Sequence, residues 1–128
     1  MPLALSTPAI LTAQTTIGYA NDHTSGTGCV PAAGPDRYYS LTIPAGLKLS
    51  VTVTPTSSWN PSVSIISTVG CSSSSPCLAS SDAAGTGAAE FVQYQNSIPA
   101  PLSVYVVVDS ASGSEAGTFT LEATVTSP

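Results

Sequence analysis

The stretch Arg37–Thr54, RYYSLTIPAGLKLSVTVT, decides the fold class. In its first half Arg37, Tyr39, Leu41 and Ile43 alternate with Tyr38, Ser40 and Thr42. In its second half Leu47, Leu49, Val51 and Val53 alternate with Lys48, Ser50, Thr52 and Thr54. Successive side chains of a strand point to opposite faces, so each half reads as a strand with one buried face. Pro44-Ala45-Gly46 between them carries the residues of a tight turn, and the pair is expected to form a hairpin.

The same alternation extends outward along the chain. Thr118–Thr126 sets Phe119, Leu121, Ala123 and Val125 against Thr120, Glu122 and Thr124. Leu102–Asp109 is apolar at nearly every position, as in a central strand covered on both sides. Pro61–Thr68 and Ala88–Tyr94 are further strands, and Gln14–Tyr19 is a weaker one. Segments 20–35, 55–60, 70–87 and 95–101 are rich in Gly, Pro, Ser and Asn and read as loops. No stretch carries a helical stripe, and Gly85 and Gly87 break the alanines of 83–89. The expected fold is all-β: an antiparallel β-sandwich of seven or eight strands with Greek-key or jelly-roll connections. Residues 1–13 are expected to be a linker or N-terminal arm, and residues 14–128 a single domain.

Composition narrows the function. Charged residues make up 7% of the 128 positions, against about 25% in an ordinary domain. Apolar residues make up 42%, too many for a disordered chain, yet no apolar run is long enough to span a membrane. The net charge is −5, and Arg37 and Lys48 are the only Lys or Arg side chains. That excludes nucleic-acid binding, which needs cations to neutralise phosphates. It also disfavours attachment to anionic membranes.

Cys71 and Cys77 bracket the polar loop SSSSP, and a local disulfide is the natural reading. Closing so short a loop stabilises a fold by roughly 2 kcal/mol in the chain-entropy model. Zinc is disfavoured, because it needs four ligands and His23 is the only histidine. Cys29 is left over, free or paired outside this sequence. The disulfide and the Ser/Thr-rich composition point to an oxidising, extracellular compartment. The start, MPLALSTPAILTAQ, lacks a basic region and is interrupted by two prolines. It reads as a linker rather than a signal peptide, with any export signal expected upstream.

Taken in order, the pieces PDRYYSLTIPAGLKLSVTVTP, WNPSVSIIS, CSSSSPCLASSD, AAEFVQY, LSVYVVVD and GTFTLEATV resemble the bacterial pre-peptidase C-terminal domain. The similarity covers about residues 14–126, and its specificity lies in the order of the pieces rather than in any one. It implies a β-sandwich found at the ends of secreted bacterial proteases and other exported proteins, without catalytic activity. Relatives in clostridial collagenases bind collagen and calcium, the latter near the N-terminal segment and the start of the strand equivalent to 37–43. Asn21, Asp22 and Asp36 match that calcium region in part. The relatives' acidic run ahead of the domain is absent from residues 1–13.

The residues offer no catalytic constellation by themselves. A hydrolytic triad needs a base beside its nucleophile, and the single histidine lies in a polar loop. Pairing of His23 with Cys29, and a pair of opposed carboxylates, have no supporting spacing. Asn21, Asp22 and Asp36 supply three oxygen side chains, fewer than calcium takes. The competing reading is that short Asn and Asp side chains stabilise turns, and Asp82 and Asp109 carry the same two readings. Tyr38 shares a face with Ser40 and Thr42 and is expected to be exposed. Tyr38, Tyr94, Tyr105 and Trp59 are the candidate ligand-binding aromatics, since exposed tyrosines anchor extended peptides and sugar rings. Trp59 has the competing reading of a cap on the core.

The expectation is therefore a monomeric, non-catalytic accessory domain of a secreted bacterial protein, a protease among its hosts. It would assist secretion or attachment to an extracellular protein or polysaccharide. Two alternatives follow from other features. An uncharged arm at 1–13 that adds a strand to a neighbour would make a self-assembling subunit. A site at Asn21, Asp22 and Asp36 would make a calcium-responsive module.

Overall fold

The computed structural model describes residues 3–4, 8–17, 37–67, 77–81, 86–110 and 116–128. All regular elements among them are strands: β1 (Leu3–Ala4), β2 (Ala9–Thr15), β3 (Arg37–Ile43), β4 (Lys48–Pro55), β5 (Pro61–Ser67), β6 (Cys77–Ser81), β7 (Glu90–Gln95), β8 (Leu102–Ser110) and β9 (Thr118–Thr126). They form two sheets, ordered β1-β3-β8-β5-β6 and β2-β9-β4-β7. Every pairing is antiparallel except that of the two-residue β1 with β3.

The expected sandwich is present, and its topology is a jelly roll. Strands pair from the outside of the sequence inward: β2 with β9, β3 with β8, β4 with β7 and β5 with β6. That is one long antiparallel ribbon with the β5–β6 connection at its tip. Rolling it up brings β4 against β9 and β5 against β8, which closes the two sheets.

The inward faces follow the alternation in the sequence. Tyr39, Leu41 and Ile43 of β3 meet Leu49, Val51 and Val53 of β4 in one core with Val104, Val106 and Val108 of β8. Phe119, Leu121 and Ala123 of β9 are also fully buried. Each large aliphatic side chain buried this way contributes roughly 1.5–3 kcal/mol, and the sum over both faces holds the sheets together.

Three local expectations change. Pro44-Ala45-Gly46 is not a hairpin turn, because β3 and β4 lie in different sheets. Gly46, at φ 77°, turns the chain over the edge of the sandwich. Its N–H donates to the Asn96 carbonyl at 2.9 Å rather than to a ladder with β3. Segment 70–87, read as loop throughout, contains β6. Pairing at the N-terminus also begins before residue 14: Ala9–Leu11 already pair with Leu121–Ala123 of β9. The ladder shifts between Leu11 and Gln14, where Ala13 takes φ 55°, so β2 carries a bulge. The expected arm at 1–13 is thus partly an edge strand of its own domain.

Candidate functional site

Each sheet has one face turned away from the core, and the two outer faces differ. On the five-stranded sheet, Tyr38 of β3 and Tyr105 of β8 meet edge to face, with ring centroids 5.9 Å apart and planes at 81°. Both are half-buried, so Tyr38 is less open than its parity with Ser40 and Thr42 suggests. Their surroundings on this face are closed. Ser62, Ser64 and Ile66 of β5, and Val107 and Asp109 of β8, are at most 2% exposed. Asp109 accepts a hydrogen bond from the Ser110 N–H at 2.7 Å, the local bonding expected of a short acidic side chain. Ser62 Oγ is buried there without a hydrogen-bond partner among the described residues. A face so covered offers two tyrosine edges rather than a platform.

The other two aromatic candidates point inward. Trp59 is 2% exposed and caps one end of the core. Its indole N–H donates to the Thr118 carbonyl at 2.9 Å, and its ring lies 6.0 Å from that of Phe119. This burial is what the core-cap reading expects, and it leaves almost none of the indole open to solvent. Tyr94 is half-buried: it lies opposite Leu49 in the β4–β7 ladder and packs against the core. Among the described residues, the sequence candidates brought together are Tyr38 and Tyr105.

The outer face of the four-stranded sheet is open. One row across it reads Ile10, Glu122, Thr52 and Phe91, aligned by the ladders β2–β9, β9–β4 and β4–β7. The next row is Thr124, Ser50 and Gln93, and the one after it Thr126, Lys48 and Gln95. Thr120 and Thr54 pair on the other side. Ile10 and Phe91 are 66% and 51% exposed, and Gln93, Gln95 and Thr124 are exposed as well. Lys48 and Glu122 are the charged side chains among these positions and have opposite signs. The face is a neutral field of hydroxyls and amides with an aromatic ring on its β7 edge.

Phe91 carried no assignment from the sequence, and the reason is physical. In EFVQYQ the alternation sets Glu90, Val92 and Tyr94 against Phe91, Gln93 and Gln95, and neither set is clearly the apolar one. Pairing decides it. Val92 lies opposite Val51 and is buried with it, which turns Phe91 outward and Glu90 inward. Glu90 is 1% exposed, and its Oε1 accepts a hydrogen bond from Ser81 Oγ at 2.7 Å. Buried acceptors need such donors, and β6 supplies one across the sandwich.

The expected calcium ligands Asn21, Asp22 and Asp36 lie outside the described residues, as do His23, Cys29, Asp82 and Cys71. Cys77 begins β6, but its side chain is also outside the description. Among the described residues no group of three or more His, Cys, Asp or Glu side chains is arranged to hold a metal ion. No helix among them is long and apolar enough to cross a membrane. No family model matches the chain, and no curated protein matches it.

Proposed function

We propose that this domain is a non-catalytic attachment module of an exported bacterial protein, related to the pre-peptidase C-terminal domains. It holds its host to an extended extracellular polymer through the outer face of the four-stranded sheet. The observation that carries this reading is the contrast between the two outer faces. The face bearing Tyr38 and Tyr105 is closed around them, whereas the face bearing Phe91, Gln93, Gln95 and Thr124 is open, regular and neutral. A rigid sheet presents such side chains without an ordering cost on binding. The pairing of Ala9–Thr15 with β9 favours attachment over self-assembly, since this part of the arm is already used within the chain.

The test is co-sedimentation of the full chain with insoluble polymers, including collagen fibrils, cellulose and chitin. The chain is expected to pellet with at least one of them. Because the face carries one cation and one anion, retention is expected to change less than about twofold between roughly 0.05 M and 0.5 M salt. Failure with every polymer, or loss of retention at high salt, contradicts the reading.

A further inference from the structure

We infer that the polymer is a neutral polysaccharide, and that it lies along β7. This rests on the attachment reading above and names its ligand class. Phe91, Gln93 and Gln95 follow one another at every second position of β7 on the open face, so they span about 13 Å, the length of a di- to trisaccharide. Thr52, Ser50 and Lys48 lie beside them on β4, one opposite each. Directly opposed side chains sit roughly 5 Å apart, so the two rows make one strip of ring, amide and hydroxyl groups.

That strip has the two features that a sugar ring requires. A pyranose has an apolar C–H face and a polar edge of hydroxyls. Phe91, half exposed at the edge of the sheet, gives the C–H face an aromatic surface. Each hydroxyl both donates and accepts a hydrogen bond, and a glutamine amide does the same from one side chain. Gln93 and Gln95 are exposed and stand in line with the ring. The charge pattern excludes other occupants. One cation, Lys48, is too little for a polyanion. One large apolar side chain in the strip is too little for a protein interface, which centres on a packed apolar or arginine cluster. Neutral hydroxyls are the ligand chemistry that this surface satisfies.

The experiment is affinity electrophoresis of the full chain through gels containing neutral glycans (β-glucan, xylan, galactomannan, soluble chitin oligomers) or polygalacturonate. Parallel lanes carry Phe91→Ala, Phe91→Trp and Gln93→Ala. Retardation is expected by at least one neutral glycan and not by polygalacturonate. Phe91→Ala and Gln93→Ala should each weaken it roughly tenfold or more, while Phe91→Trp preserves it. Both alanine variants lie on an exposed face, so their melting temperatures should match that of the parent, which separates lost binding from lost folding. Retardation that survives both alanine variants overturns the assignment to β7. If no neutral glycan retards the chain while collagen fibrils still pellet it, the carbohydrate inference falls and the attachment reading stands. If neither binds, both fall.

Discussion

Gly117 and Trp59 illustrate how one residue's identity follows from another's position. A Cβ built on Gly117 would lie 2.3 Å from Trp59 Cδ1 and 2.5 Å from Nε1. The indole is also held by its hydrogen bond to the Thr118 carbonyl and by Phe119. Neither neighbour can give way without opening the core. Gly117→Ala is therefore expected to cost about 2–3 kcal/mol, read as a fall in the urea midpoint at constant slope. An unchanged midpoint would show that the ring has room to move. The sequence leaves Trp59 with two readings because its decisive partner is 59 positions away. Phe91 is opaque for a related reason: whether it faces water depends on which residue of β4 it meets.

At the scale of elements, the corner between β3 and β4 is held from outside itself. Asn96, 1% exposed, donates from Nδ2 to the Ile43 carbonyl at 2.9 Å and to the Ala100 carbonyl at 2.8 Å. Its Oδ1 accepts from the Ile98 N–H at 3.2 Å. Its backbone bonds Gly46 and Leu47 on the other connection. One side chain thus joins the turn after β3 to the turn after β7. Asn96→Ala removes the donor to the buried Ile43 carbonyl and the tie to Ala100, and is expected to cost roughly 2–4 kcal/mol in chemical denaturation. A loss under about 0.5 kcal/mol, the range of an ordinary surface change, would refute that role. Strand limits were legible to within a residue where alternation was long: Arg37–Ile43 and Thr118–Thr126 have the bounds that their pattern predicts, and Leu47–Thr54 is shifted by one to Lys48–Pro55. β6 was not legible, because CLASS is short and only Leu78 and Ala79 of it pack against the core, too few to show a period. β2 was misplaced by several residues, because its bulge at Ala13 breaks the period on which the reading depends.

For the whole molecule, the jelly roll makes most pairing non-local. The hydrogen bond from Thr15 Oγ1 to the Gly117 carbonyl spans 102 positions. Long loops must close before such contacts stabilise anything, so refolding is expected on the millisecond-to-second scale of all-β domains. Stopped-flow fluorescence of the single tryptophan, Trp59, checks this, and microsecond refolding would contradict it. The sequence by itself determined the class of the fold, because period-two alternation is a local property of each strand and needs no partner to be read. It also determined that the surface is sparse in charge, because composition alone leaves so few charges to place. Tertiary structure decided which connections cross between sheets, which side of β7 meets water, and hence that Phe91 is half exposed to solvent while Trp59 is buried. Those outcomes depend on register between strands far apart in the chain, and register is settled by the packing of the two inner faces against each other.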